Sequence, residues 1–221
     1  MKILCVADNK DPLLYTNTVR TRFKDIDLIL GAGDLDLDYY EFLVSSLNKP
    51  LLFVFGNHNL QSISRYRKEF APAHVSFNYD GLNKGSNGLQ YIGGSCKRVK
   101  NLLVAGLGGS QRYNKGLNQF TEFGMFLFSL RLLPRLLFNR LVHGRYLDIL
   151  LTHAPPAGIH DLPDPCHRGF KFFLYFMRFF RPQYLIHGHV HLYDINAPRR
   201  TEYLDTTVIN AYNHFVVQLE E

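Results

Sequence analysis

The sequence predicts an α/β fold whose first third forms a parallel sheet with crossover helices. Two observations predict it. Short apolar runs alternate with helix-length segments over residues 1–55, and that order sets consecutive strands side by side in one direction. A turn-rich middle then spaces its apolar runs as hairpins do, which adds an antiparallel portion.

The elements follow in order. Ile3 to Ala7 is an apolar run between polar residues and reads as a buried strand. Leu13 to Phe23 has helix length. Leu28-Ile29-Leu30 is a second strand, ending in Gly31-Ala32-Gly33-Asp34. Tyr39 to Leu47 reads as a helix that Asn48-Lys49-Pro50 stops. Leu51 to Phe55 is a third strand, ending in Gly56-Asn57-His58-Asn59. Asp80-Gly81, Asn83-Lys84-Gly85 and Ser86-Asn87-Gly88 are turn signals, with strands expected at Leu89 to Ile92 and Leu102 to Ala105. Thr121 to Arg140 is helical, kinked or divided at Pro134. Leu147 to Leu151 is a strand running into Thr152-His153, and Gly169 to Phe180 has helix length. Tyr184 to Ile186 is a strand running into His187-Gly188-His189-Val190-His191. Val208-Ile209 and Phe215 to Leu219 read as final strands. No repeat or linker interrupts the chain, so residues 1–221 are expected to form a single domain.

Composition narrows the class. A chain of 221 residues buries a core without staples. With 46% hydrophobic and 20% charged residues it is globular rather than disordered. Cys5, Cys96 and Cys166 are scattered and no CxxC occurs, which excludes a disulfide framework, a zinc finger and a thioredoxin motif. The apolar run at the start is too short for a signal-peptide core, and no stretch of ~18 uncharged apolar residues exists. A cytoplasmic protein is therefore expected. The net charge of +6 suits polyanions. The basic residues are dispersed, however, clustering only at Lys97-Arg98-Val99-Lys100 and Arg199-Arg200. Charge thus does not choose between nucleic acid and a small phosphorylated molecule.

The informative pattern is positional. Asp8, Asp34, Asn57, His153 and the pair His189/His191 each come just after an expected strand. In an open α/β sheet the carboxyl ends of the strands meet along one edge, where ligands bind. Carboxylate, amide and imidazole groups suit divalent metals such as Mn, Fe and Zn. Gly33, Gly56 and Gly188 beside them permit tight turns. Taken singly, a Gly-Asp is an ordinary turn, Asn57 a capping residue and His153 a hydrogen-bonded histidine. Five such sets, all at strand ends, make a metal site the better reading.

These residues resemble the calcineurin-like metallophosphoesterase superfamily. Its motifs run Asp-x-His, Gly-Asp, Gly-Asn-His, a lone His and Gly-His-x-His. Here they correspond to Asp8-Asn9-Lys10, Gly33-Asp34, Gly56-Asn57-His58, Thr152-His153 and Gly188-His189-Val190-His191. The stretch Gly106-Leu107-Gly108-Gly109-Ser110 to Arg112-Tyr113-Asn114 is similar to a little-characterised prokaryotic-type branch. The resemblance implies a four-layer α-β-β-α sandwich with mixed sheets. It implies that Asp34 bridges two divalent metals, that Asp8 and His191 complete the first site, and that Asn57, His153 and His189 complete the second. His58 would lie beside the phosphoryl group as the catalytic histidine. The implied activity is hydrolysis of a phosphomonoester or phosphodiester by metal-activated hydroxide. The alternative is a catalytically degenerate scaffold on the same fold, binding a protein or ligand.

The sequence departs from the pattern at Lys10, where the family has His. Protonated Lys has no lone pair for a metal, and the carboxylates of Asp8 and Asp34 favour its charged form. Three readings follow: a first metal with fewer ligands, helped by Asp11 or water; an ammonium that replaces the first metal's charge, leaving one ion; or a degenerate site. A Lys10 that simply swings into solvent is the plain alternative.

Further candidates lie in the loop after His153. His167 and Arg168 are placed to contact a phosphate, or else to begin a helix, and Arg112 is a similar candidate. Cys166 and the remaining histidines (His74, His143, His160, His187, His214) read as structural or solvated. The segments Phe123 to Phe138 and Phe170 to Phe180 are apolar almost all round. Burial between layers or in an oligomer interface accounts for them. Contact with a membrane surface, with Arg131, Arg135 and Arg140 toward headgroups, is the second reading.

Overall fold

Two mixed sheets stack face to face because most of their strands are apolar on both faces. The structure is a computed structural model and describes residues 1–67, 88–194 and 196–219. The first sheet contains β1 (Lys2–Ala7), β2 (Leu28–Gly31), β3 (Leu51–Phe53) and β4 (Leu89–Tyr91), all parallel, with β13 (Asn213–Gln218) antiparallel on β1. The second has the order β11 (Arg200–Tyr203), β12 (Thr206–Asn210), β10 (Tyr184–His187), β9 (Ile149–Thr152), β6 (Leu102–Leu107) and β5 (Cys96–Val99). Its middle pairs are parallel and its two edge strands antiparallel. A small parallel pair, β7 (Ser110–Gln111) and β8 (Gln119–Phe120), stands apart.

Successive side chains of a strand point to opposite faces, and three separate cores result. Ile3, Leu28, Leu30, Leu52, Val104, Ile149, Leu151 and Ile186 meet between the sheets. Leu4, Val6, Ile29 and Phe53, the alternate residues, pack under α1 (Val19–Arg22) and α2 (Leu37–Leu47). Leu103, Ala105, Leu150, Leu185 and Val208 pack under α3 (Glu122–Ser129), α4 (Leu133–His143) and α5 (Lys171–Phe180). Three cores imply four layers, helix, sheet, sheet, helix, as the family resemblance suggests.

Several elements differ from expectation. Only Val19–Arg22 of the segment from Leu13 is helical. The Asp11 carboxylate accepts the Leu13 N–H at 2.8 Å, and the Asp11 carbonyl accepts those of Leu14 and Tyr15, so local turn bonds replace a longer helix. Leu89–Tyr91 joins the parallel first sheet, not a hairpin with Leu102–Leu107. The antiparallel partner of that strand is Cys96–Val99, whose Lys97-Arg98 hid it as an apolar run. Charged residues are typical of such an edge strand. The turn signals at 80–87 lie outside the described residues. The long helix does divide near Pro134. A 3₁₀ turn at Leu130–Leu132 joins α3 to α4, and Pro134 occupies the first turn of α4, where its missing N–H costs no hydrogen bond.

Candidate metal centre

The parallel strands of both sheets end at one edge, and the polar residues that follow them meet there. The donor atoms of Asp34, His153 and His189 lie within 4.8 Å of one another. His153 Nε2 stands 3.3 Å from Asp34 Oδ2 and 3.1 Å from Asn57 Oδ1. These four residues are buried and come from the ends of β2, β3, β9 and β10.

Backbone carbonyls set the imidazole tautomers. His153 Nδ1 lies 2.8 Å from the Ala32 carbonyl and donates to it, so its Nε2 carries the lone pair when the ring is neutral. His189 Nε2 likewise donates to the Cys166 carbonyl at 2.7 Å, which leaves Nδ1 for a ligand. The Asp34 carboxylate accepts the His58 N–H at 2.8 Å, and the Asn59 amide donates to the Asp34 carbonyl. Asp8 accepts the His189 N–H on both oxygens at 2.9 Å, tying the end of β1 to the end of β10.

The backbone is unusual at the same places. Asp8, Asp34 and His189 have φ of 66°, 58° and 70°. Non-glycine residues rarely adopt this left-handed conformation, which clusters at functional sites. The neighbouring glycines serve mainly to make room. Gly33 does have φ of 100°, but at Gly56 and Gly188 the reason is space. A Cβ at Gly56 would overlap Asp34 Oδ1 and lie 2.6 Å from His153 Nε2, and one at Gly188 would lie 2.6 Å from Asp8 Oδ2.

Burial and mutual charge perturb the titratable groups of the cluster. Burial, with the neighbouring Asp34 charge, pushes the Asp8 carboxyl up to about 7 despite the pull of His153. Burial would raise Asp34 too, but the His153 imidazolium outweighs it and holds that carboxyl low. Burial lowers the affinity of His153 for its proton, yet Asp34 and Asp8 outweigh that and lift it to about 9. The proton on His153 thus sits where two carboxylates favour positive charge, as a metal ion would. His189, desolvated and beside His153, is pushed down to about 3 and stays neutral. Carboxylate, amide and neutral imidazole donors fit a divalent metal of the Mn, Fe or Zn kind.

The other expected site residues stand further out. His191 is exposed, stacks on Tyr212 at 4.8 Å and contacts the Tyr193 hydroxyl. His58 is exposed, held by its main chain rather than its ring. Lys10 is exposed and its ammonium lies 2.9 Å from Asp36. Among the described residues its ion pair is with Asp36, not with Asp8 or Asp34. Asp11 is also engaged elsewhere, with His214 Nδ1 at 2.5 Å and with its own turn, so it does not replace the missing histidine. The His167 ring lies 5.4 Å from that of His189, tilted to it, and Arg168 is exposed.

Three contributors escaped the sequence reading. Tyr113 accepts the Asn57 amide at 3.2 Å, Asp164 accepts from His167 Nδ1 at 3.0 Å on each oxygen, and Tyr212 stacks on His191. The Asp164-x-x-His167 spacing was a readable signal for the second. The other two depend on long-range packing.

The comparisons agree with this fold. No curated protein matches the chain by sequence. A solved crystal structure resembles it over 96% of this chain and 90% of its own, with a TM-score of 0.61 and 14% identity. The crystal structure of TT1561 of Thermus thermophilus does so over 96% and 89%, with a TM-score of 0.58 and 14% identity. At such identity these likenesses speak to the fold alone. The model of the calcineurin-like phosphoesterase family matches residues 1–193, and the chain belongs to that family of metal-dependent phosphoesterases.

Proposed function

We propose that the chain hydrolyses a phosphomonoester or phosphodiester with the aid of one or two divalent ions. The observation that supports this best is the buried Asp34, His153 and His189 cluster, with both imidazoles turned by backbone carbonyls toward a common point. Asp34, Asn57, His153 and His189 would hold one ion. Asp8 and His191 would complete a second place, with Asp34 shared. A bound metal of this kind activates water as a nucleophile and screens the phosphoryl oxygens.

The protein's own groups supply the rest. The Asn57 side chain, held by the Tyr113 hydroxyl, keeps its carbonyl on the cluster. His58 is exposed, with its backbone N–H on Asp34, and would donate a proton to the leaving oxygen. His167, fixed by Asp164, and Arg168 present positive or hydrogen-bonding groups to an anionic substrate. Cytoplasmic residence belongs to this proposal. No helix among the described residues is long and apolar enough to cross a membrane.

One observation favours the scaffold reading. With Lys10 on Asp36 and Asp11 on His214, the first place lacks the ligand that the family's motif supplies. Metal analysis of protein purified without chelator, then turnover of p-nitrophenyl phosphate and bis-p-nitrophenyl phosphate with Mn²⁺, separates the two. Bound metal and turnover that Asp34→Ala abolishes are expected. Absence of both metal and turnover would establish the scaffold.

A further inference from the structure

The outer layer that covers the second sheet exposes apolar side chains in rows. On α3 and the 3₁₀ turn after it, Phe123, Phe126, Leu127 and Leu130 are exposed at helical spacing, while Met125 and Phe128 pack on the sheet. On α4, Leu137, Phe138, Leu141 and Val142 are exposed, and Leu136 and Asn139 are buried. On α5, Tyr175 and Phe179 continue the surface. The rows adjoin: Phe126 lies 5.9 Å from Phe172 of α5, and Tyr146, just past α4, lies 6.2 Å from Phe179. Exposure reaches 86% at Leu141 and 67% at Phe123, which marks these side chains as projecting rather than flattened onto the fold.

The charge of the chain is concentrated on the same layer. Residues 122–145 and 171–181 hold seven basic side chains (four Arg in the first stretch, then Lys171, Arg178 and Arg181) against one acid, Glu122. Their net charge of +6 equals that of the whole chain, so the remainder is neutral. Glu122 is already engaged, accepting from Gln111 and from the Lys171 and Phe172 N–H groups at the start of α5. The guanidinium of Arg135 lies 5.1 Å from the Phe138 ring and that of Arg140 5.8 Å from Tyr146. Positive and apolar groups are therefore interleaved.

We propose that this helical layer docks on the surface of an anionic lipid bilayer. The apolar rows would enter the boundary between headgroups and acyl chains, with the arginines on lipid phosphates. Arg145 is paired with Asp148 and Arg181 with Asp205, and a symmetric contact with a second copy would set the remaining basic side chains against their own copies. A nucleic acid would match the charge and the exposed Phe and Tyr rings, but not the exposed Leu and Val side chains, which offer no stacking surface. Because none of the described helices can span a bilayer, the contact is peripheral. The proposal is independent of catalysis.

Flotation of the full chain with vesicles tests it, using phosphatidylcholine alone or mixed with phosphatidylglycerol. The wild type should float with the mixed vesicles and not with the neutral ones. Arg135→Glu with Arg178→Glu should weaken binding at least about tenfold, since each surface charge contributes on that scale. Phe123→Asp with Leu141→Asp should do the same, with thermal melting and metal content unchanged because both sites are exposed. Failure to float, equal binding to neutral vesicles, or binding that neither pair of changes affects would overturn the proposal. A dimer in sedimentation that Leu141→Asp dissolves, without vesicle binding, would assign the face to a second copy and overturn it equally.

Discussion

Raising the pH of the metal-free protein from 7 to 9 should destabilise it through His153. Its folded state holds the proton up to about 9, against an ordinary value of 6.5, because Asp34 and Asp8 outweigh the cost of burial. The folded chain thus binds the proton more tightly than the unfolded chain. That stabilisation is complete below 6.5 and is lost as pH rises through the folded value. Its ceiling is about 3 kcal/mol, of which about 2 kcal/mol disappears between pH 7 and 9. For a chain of this size Tm should fall by ~4–8 °C. Two neighbours act mainly below this window. Asp8, raised to about 7, loses most of its contribution before pH 7 and the rest just above it, and His189, pushed down to about 3, acts below 6.5. A metal ion takes the same lone pair, so bound Mn²⁺ should reverse the trend and bind more tightly as pH rises. The assay is thermal or denaturant unfolding in chelator at each pH, for wild type and His153→Gln. A flat wild-type profile, or a slope that survives in His153→Gln, would refute the assignment.

Other consequences are simpler to test. Gly56→Ala should lower stability by about 1–3 kcal/mol and Mn²⁺ affinity by ~10–100-fold, read by melting and calorimetry, because its Cβ overlaps Asp34. His189→Ala should abolish ester turnover while the chain stays folded; full activity would refute the site. Lys10→His should raise the Mn²⁺ content of purified protein. It should cost less than ~1 kcal/mol of stability, since the Lys10–Asp36 pair is exposed. Thr121→Ala should cost about 1 kcal/mol by removing the cap on the Gly124 N–H.

Local patterns were readable wherever short-range physics dominates. The apolar runs that became β1, β2, β9 and β10 identified themselves, because strands buried on both faces must be apolar throughout. Asp34, Asn57, His153 and His189 were legible for the same reason, as polar residues that directly follow such runs. Strands β5 and β11 were not, because each carries two charged residues in four at a sheet edge. Where the helix from Leu13 was expected, the chain instead turns around Asp11, and helix forms only at Val19–Arg22.

The sequence by itself determined which residue types gather at the strand ends and that the motif is broken at Lys10. Only the tertiary structure decided where Lys10 goes. Its ammonium lies on Asp36, and Asp11 lies on His214, at the far end of the chain. A flexible lysine takes whichever carboxylate the fold brings near, and that choice is set by long-range packing. The same holds for the charge and apolar surface of the outer helices. Their composition is written in the sequence, but which of their side chains stay uncovered depends on how the four layers close.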